Sequence, residues 1–362
     1  MGDQNGLETK LGRYRSFWNR TPVHRPLLGF DVGGFYPLQK YSSLQELGSG
    51  AELLPSMLDP ADLLDAYEEA YESSTSIDDD FIRGASPISA VPWMEAMLGC
   101  RVRIAKDSIW AEERGATWDE METIEISDDN PWLKAYLRLL EALAQRSAGR
   151  FPVSQPILRG VSDLLGSLRG HSQALIDCME SPGRVRRAVR RCADALIEAV
   201  RRHYAIVTPF HGGYSVEQYS LWSPKPIIRL QEDASSVYSP TLYRELIQPE
   251  DRRVAAAFPA CLVHLHSASL FLLSHFLEIE GIDIVQINRD AVGVHLEDMM
   301  GSLRQVQNAG RLLLLRGDLD TEEIELIARE LSPTGLMVQI VVQDPKETGA
   351  YTEVLTRCWT ER

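Results

Sequence analysis

The chain repeats one pattern, a short run of apolar, β-prone residues followed by a longer stretch with apolar residues at helical spacing. Such runs predict strands, and the longer stretches predict the helices that cover them. Predicted strands lie at residues 26–30, 151–155, 214–218, 262–266, 284–287, 311–315 and 336–340, with an eighth at 86–91. This alternation is typical of an α/β fold with a parallel sheet.

Three stretches carry the clearest helical signals. A helix is predicted from 181 to 204, where Pro182 suits the first turn and residues such as Val185 and Cys192 fall on one face. A second amphipathic pattern spans 131–143. The residues at 321–324 are typical of a capping box, in which side chains satisfy the first amides of a helix.

The element count favours one closed barrel over two open sheets. Eight strand–helix units predict an α/β fold, a single (β/α)8 TIM barrel over residues 26–362, preceded by an N-terminal extension at 1–25. Residues 100–110 and 117–126 break the alternation, because polar and apolar residues alternate there. We expect an inserted excursion of antiparallel strands near 100–126, which covers either the barrel mouth or an oligomer interface. A homodimer is therefore one expected state.

Composition narrows the class of protein. The 362 residues carry 37 basic and 52 acidic side chains, a formal charge of −15, which argues against a nucleic-acid partner. The five scattered cysteines form no pairing pattern and indicate reduced thiols. The N-terminus shows no signal-peptide core, and no apolar run is long enough for a membrane span. We expect a cytoplasmic enzyme that acts on a small molecule.

The sharpest chemical signal is the His-Leu-His sequence at 264–266. Strand periodicity places His264 and His266 on one face, at the strand end where an α/β barrel keeps its active site. Paired imidazoles can ligate a metal, bind a substrate carboxylate, or act as general acid and base. A hydrogen-bonded pair of structural histidines is the alternative.

Three acidic residues also fall near predicted strand ends. Asp31 precedes a Gly pair and is either a catalytic residue or a turn cap. Glu217 is either a buried functional carboxylate or an outward-facing one. Asp233 could contact substrate or orient a histidine, or else cap a helix. The indoles of Trp93 and Trp222 are candidate walls for a flat substrate, with the core as the alternative.

Several stretches together resemble the uroporphyrinogen decarboxylase superfamily, over about residues 26–356. They are Val91-Pro-Trp-Met-Glu-Ala-Met-Leu-Gly-Cys100, the run from Phe151 to Asp163, Glu232-Asp-Ala-Ser-Ser-Val-Tyr-Ser-Pro240 and the Gly317-Asp-Leu-Asp320 turn. The resemblance implies a (β/α)8 barrel, and it extends to zinc-dependent methyltransferases that exchange methyl groups with corrinoids. Gln155, within the second stretch, is then an expected substrate contact.

The chain departs from both branches of that superfamily. The arginine-bearing loop of the decarboxylases is replaced by Phe30-Asp-Val-Gly-Gly-Phe35, and their late histidine is missing from residues 338–344. In the HxC motif of the methyltransferases, His264 matches the histidine and His266 replaces the cysteine. Their second cysteine has no counterpart near Val341. We therefore expect any metal, such as zinc, to bind through His264, His266 and Glu217.

Three functions follow as hypotheses. The first is a methyltransferase or demethylase acting on a small methylated or carboxylated metabolite, linked to a corrinoid carried by a partner protein. The second is a decarboxylase of another carboxylate, and the third is a binding barrel without catalysis. The carboxylates Asp31, Glu217 and Asp233 predict an acidic mouth that repels polyanions and tolerates neutral or cationic substrates.

Overall fold

The structure is a computed structural model that describes residues 4–32, 44, 47–74, 76–105 and 108–359. Helices cover one face of a parallel sheet. They are α1 (Gln4–Trp18), α2 (Pro60–Ser74), α3 (Trp93–Met97), α4 (Trp118–Glu122), α5 (Pro131–Ser147), α6 (Val161–Arg169), α7 (His171–Glu180), α8 (Pro182–Ile206), α9 (Pro240–Leu242), α10 (Gln248–Ala256), α11 (Leu273–Leu277), α12 (Leu296–Asn308), α13 (Thr321–Glu330) and α14 (Thr348–Trp359). None of the described helices is long and apolar enough to cross a membrane.

Six parallel strands form the central sheet, in the order β1-β11-β10-β9-β8-β7. A three-stranded antiparallel sheet (β2-β3-β4) and a β5-β6 hairpin lie outside this sheet. The strands are β1 (Leu27–Val32), β2 (Ala51–Leu53), β3 (Val102–Ala105), β4 (Ser108–Ala111), β5 (Tyr214–Val216), β6 (Leu221–Ser223), β7 (Ile227–Gln231), β8 (Ala260–Leu265), β9 (Ile284–Arg289), β10 (Leu312–Gly317) and β11 (Leu336–Val342). The α/β class is thus confirmed, with an arrangement consistent with a TIM-type barrel.

The predicted strands differ from the observed ones between β1 and β7. Residues 151–155 and 86–91 form no strand; only isolated parallel bridges join Ala85 to Val153 and Gln155 to Val216. Residues 214–216 pair antiparallel with β6. Strand β7 was not predicted, because Pro226 directly precedes it and Arg229 interrupts its short apolar run. Closure of the sheet into an eight-stranded barrel stays a prediction.

The antiparallel excursion is confirmed only in its first half. Strands β3 and β4 pair antiparallel, and β2 joins them. Residues 117–126 do not continue the sheet: Thr117 caps α4 in a capping box with Glu120. The alternation of polar and apolar residues in this segment led to a wrong prediction of strands, because a five-residue helix is too short to show a helical period. At 321–324 the cap is one residue earlier than predicted, since Asp320 and Glu323 form the box.

Side chains of the central strands separate into two faces. One face packs against the helices, with Ile228, Val263, Val285, Leu313 and Val338 among its residues. On the other face, the amino-terminal parts of the strands form what we call the apolar floor: Leu27, Ile227, Leu262, Ile284, Leu312, Leu314 and Met337. Helix α1 closes the floor from below, with Leu11 and Tyr14 in the same cluster.

Further along the strands the same face becomes polar. We call the next side chains the polar layer: Arg229, His264, Gln286, Arg316 and Gln339, none of them more than 9% exposed. The strand pairing places His264 opposite Gln286 and Arg316 opposite Gln339. Since parallel strands end together, this layer lies beneath the loops where TIM-type barrels keep their chemistry.

Candidate functional site

Two histidines and one carboxylate converge at the carboxyl ends of β7 and β8. The Nε2 atoms of His264 and His266 are 3.3 Å apart, and Asp233 Oδ1 lies 3.5 Å and 3.7 Å from them. Asp233 opens the turn after β7, and the β7–β8 register sets Gln231 opposite His264. The local chain path therefore brings Asp233 to the imidazoles. We call these three residues the histidine–aspartate trio.

Asp290, which follows β9, orients the imidazole of His266 through its Nδ1 atom. The Nδ1 atom of His266 lies 2.7 Å from Asp290 Oδ1, and Asp290 Oδ2 accepts hydrogen bonds from the Ser267 amide and hydroxyl. An ionised carboxylate only accepts, so His266 carries a proton on Nδ1. A carboxylate behind a histidine is the usual support of a metal-binding imidazole.

The first imidazole is held by an amide instead. His264 Nδ1 hydrogen-bonds Gln286 Oε1, which also accepts a bond of 2.9 Å from the Tyr219 hydroxyl. Gln286 Nε2 donates to Asn288 Oδ1 at 2.9 Å and so fixes the orientation of the amide. Because the amide oxygen can only accept, His264 also carries its proton on Nδ1.

With both protons on Nδ1, the two Nε2 lone pairs face one another and Asp233 Oδ1. This oxygen is buried and has no hydrogen-bond partner among the described residues. Three electron-rich atoms at this spacing repel unless a cation or a proton lies among them. Two ligands about 2.0–2.1 Å from a tetrahedral zinc ion lie roughly 3.3–3.4 Å apart. The trio therefore fits such an ion through three ligand atoms that lie within 4.8 Å of one another.

The two imidazoles differ in their electrostatics. Burial lowers the pKa of His264 to about 3, so this ring is neutral at physiological pH. The bond to Asp290 raises the pKa of His266, against the opposing effect of burial. A neutral His264 has the free lone pair that metal ligation requires, and a proton on His266 Nε2 is the competitor of a metal.

The predicted metal set differs from the trio in its carboxylate. Glu217 lies in the turn after β5, where its Oε2 accepts a 2.7 Å bond from the Ser89 hydroxyl. Strand β5 pairs outside the central sheet, whereas Asp233 follows the direct neighbour of β8. Asp233, predicted as a substrate contact or orienting residue, thus takes the place expected for Glu217.

Basic side chains also lie among the carboxylates that predicted an acidic mouth. Asp31 forms an ion pair of 2.5 Å with Arg316 of the polar layer. Burial raises the pKa of Glu217, while the nearby positive charges of Arg229 and Arg316 oppose this rise. Asp31 is therefore paired with a guanidinium that sequence spacing did not place beside it, and two guanidinium groups lie near Glu217, so the mouth carries positive as well as negative charge.

Three other predicted contacts are interior residues. Trp93 is fully buried, and its Nε1 donates to the Ile88 carbonyl; Trp222 is 2% exposed and donates to the Phe210 carbonyl. Both indoles are core side chains rather than walls of an open pocket. Gln155 is fully buried, and its Oε1 accepts a bond from the Arg229 amide. The Gly pair after Asp31 lies outside the described residues.

Sequence reasoning missed the residues that support the histidines. Gln286 stands inside an apolar strand, where an amide is costly to bury without partners, so its position was a usable signal. Asp290 lies three residues beyond the predicted end of its strand and carried no such signal. Tyr219 contacts His264 across 45 residues of sequence, a relation that only the fold creates.

Comparison with known proteins supports the fold. A methyltransferase from Methanosarcina mazei matches with a TM-score of 0.66 and 11% identity, over 97% of this chain and 98% of that one. A Bacillus subtilis mannanase matches with a TM-score of 0.38 and 10% identity, over 97% of this chain and 91% of that one. A methylaspartate ammonia lyase from Clostridium tetanomorphum matches with a TM-score of 0.33 and 12% identity, over 92% of this chain and 74% of that one. Both are too distant to support any inference. No protein-family model and no curated protein matches the sequence. At 11% identity the first match shows a shared fold, and no more.

Proposed function

We propose that this protein is a metal-dependent methyltransferase that uses the histidine–aspartate trio. The observation that carries the proposal is the convergence of two Nε2 lone pairs and an unpartnered carboxylate oxygen at the carboxyl end of the sheet. The shared fold with a methyltransferase adds support. The resemblance of the sequence to corrinoid-linked methyltransferases points to the same reaction class.

Zinc is the metal that this ligand set favours. His264, His266 and Asp233 would hold it, and a bound zinc ion supplies a Lewis acid that lowers the pKa of a ligated thiol or water. Asp290 and Gln286 keep both rings in the tautomer that presents Nε2. Tyr219 presents its hydroxyl to His264 and Gln286 in the buried polar layer.

The surroundings of the trio favour a methyl acceptor carried by a partner protein. Exposed apolar side chains lie on the three consecutive loops after β7, β8 and β9: Val237, Phe271, Val292 and Val294, exposed by 55%, 50%, 91% and 38%. Apolar residues exposed together around a site are typical of protein interfaces. We propose that a corrinoid-binding protein docks over these loops and brings its cofactor to the mouth.

Zinc binding tests the site itself. Metal-free protein is titrated with Zn²⁺, and bound metal is measured by mass spectrometry after gel filtration. We expect one zinc per chain, lost in His264→Ala and His266→Ala and retained in His295→Ala, which removes an exposed histidine of the next loop. Substoichiometric binding that His266→Ala leaves unchanged would refute the metal site.

Methyl transfer tests the reaction. The zinc-loaded protein is mixed with cob(I)alamin and a panel of methoxylated and methylammonium compounds, and methylcobalamin is followed by absorbance. We expect transfer from at least one donor, abolished by His266→Ala. Failure with every donor, at full zinc occupancy, contradicts the methyltransferase and leaves the metal site standing.

A decarboxylase is the second candidate, favoured by the cations near the trio. Arg159 is partly exposed and lies close enough to Asp233 to feel its charge, and a guanidinium is a suitable partner for a substrate carboxylate. This reaction predicts turnover that chelators leave intact and that His266→Ala abolishes. Tight binding of a substrate without turnover would instead indicate a binding barrel.

A further inference from the structure

One cavity lies at the amino end of the sheet, under the apolar floor. It has a volume of about 440 Å³ and lies between α1, the segment 23–27 that leads into β1, and the start of β11. Phe17, Leu27, Leu336 and Trp359 give it apolar walls. Cavities of 300–1,000 Å³ with mostly apolar walls are typical of small-molecule sites.

The ionisable side chains on the cavity wall are all basic residues. Arg13, His24 and Arg25 line it, and no Asp or Glu is found among its described lining residues. Both arginines reach the carboxylate of Asp80, which is 1% exposed and also accepts a bond from the Leu28 amide. Two guanidinium groups thus share one carboxylate, which leaves an excess of positive charge at the rim of an apolar cavity.

Neighbouring acids do not cancel this excess. Asp79 is buried and already bonded to Arg83, with Lys10 at 3.6 Å. Asp78 is the exposed acid close to Arg25. Counting these groups, three carboxylates face four basic side chains, Lys10, Arg13, Arg25 and Arg83.

We propose that this cavity binds a small amphipathic anion, with its hydrocarbon or aromatic part along Phe17, Leu27 and Leu336 and its acidic group at Arg13 and Arg25. Burial of the apolar part removes hydrocarbon from water, and the unmatched guanidinium charge favours an anionic group. The site lies at the end of the sheet opposite the trio. In TIM-type barrels the residues at this end contribute to stability, and the catalytic residues lie at the other end. Its ligand therefore acts on the stability or regulation of the protein and is not a substrate.

Gly12 offers a way to fill the cavity without disturbing the core. This glycine lines the cavity from within α1, and a Cβ built on it meets no atom within 4 Å. Gly301 in α12 is a matched control, because it is also helical and free of contacts at its Cβ, but it faces solvent and not the cavity. Both Gly→Leu changes raise helix propensity by the same amount, so they differ only in the space that the leucine occupies.

The binding experiment uses two probes of the same shape. 1-Anilinonaphthalene-8-sulfonate is an amphipathic anion, and N-phenyl-1-naphthylamine is its uncharged counterpart; both become fluorescent in apolar surroundings. We expect the sulfonate to bind at one site per chain, about tenfold more weakly in Gly12→Leu, and unchanged in Gly301→Leu. Thermal unfolding of each variant verifies that the fold is intact.

The charge is tested separately with Arg13→Gln. Asp80 keeps both bonds from Arg25 in this variant, so its carboxylate stays paired. We expect sulfonate affinity to fall about three- to tenfold and uncharged-probe affinity to stay constant, with recovery in Arg13→Lys. Sulfonate binding that Gly12→Leu leaves unchanged refutes the site. Equal affinities for the two probes refute the anion preference.

Discussion

The two ends of the sheet use the same strands for opposite purposes. At the amino end, Ile227, Leu262 and Leu312 form an apolar floor that α1 closes. Two to four residues further along these strands, Arg229, His264 and Arg316 form a buried polar layer. Both sets of residues belong to the same strands, so the two ends of the sheet differ in the polarity of their side chains. A single sheet thereby keeps its stabilising core and its chemical site apart.

The buried charges at the two ends are satisfied to different degrees. At the amino end, Asp80 is saturated by two arginines and a backbone amide. At the carboxyl end, Asp233 Oδ1 and the guanidinium nitrogens of Arg229 are buried without hydrogen-bond partners among the described residues. Unsatisfied buried groups are costly, and they persist where function requires them. The carboxylate of Asp80 therefore has a structural role, whereas the unsatisfied atoms of the trio are candidates for binding.

Removal of the Asp80 charge should have the largest effect. In Asp80→Asn, two guanidinium groups lose their carboxylate, and their partial exposure moderates the cost to about 2–4 kcal/mol of unfolding free energy. Urea unfolding measures it, with Asp129→Asn, which removes an exposed partner of Lys134, as a control expected to leave stability nearly unchanged. Zinc affinity should not change. A large loss of zinc affinity would show that the two ends are coupled.

The next effect concerns the carboxyl end and depends on the proposed zinc site. Asp290→Asn removes the carboxylate behind His266 and should weaken zinc binding about 10–100-fold, with little change in unfolding free energy. A competition titration against a zinc-binding dye measures the affinity. An unchanged affinity combined with a large loss of stability would make Asp290 structural and remove the contrast.

Acid should weaken the amino end through Asp80. Burial acts to raise the pKa of Asp80, but the bonds from Arg25 and the Leu28 amide outweigh it and leave the pKa lowered. A lowered folded-state pKa gives stability that is complete above the unfolded value of about 3.9 and is lost as pH falls through the folded value. The stability difference between wild type and Asp80→Asn should therefore shrink below about pH 4. A difference that stays constant down to pH 2 would contradict this assignment.

The smallest effect is expected in a region that belongs to neither end. Thr117→Ala removes the cap of α4 and should cost about 1 kcal/mol, with neither zinc affinity nor sulfonate binding altered. Thr117→Ser keeps the hydroxyl and should restore most of the stability. A change in either binding reaction would place the excursion in contact with one of the sites.

The strand predictions were most accurate where a strand is a long apolar run that can be recognised from its own residues. The long apolar runs of β8, β10 and β11 are buried on both faces and were readable without tertiary context. The segment between β1 and β7 was misread, because its residues make isolated bridges whose partners lie far away in sequence. Trp93 and Trp222 were ambiguous for the same reason, since an indole in a core and one in a pocket look alike in sequence.

The α/β class, the helices predicted at 131–143 and 181–204 and the shared face of His264 and His266 followed from the sequence, because hydrophobic period and strand alternation are local properties. Tertiary structure alone decided that Asp233 and not Glu217 joins them, that Asp290 and Gln286 set their tautomers, and that Arg316 neutralises Asp31. These residues are brought together by the order of strands in the sheet. That order is set by packing of the whole chain, which no local pattern contains.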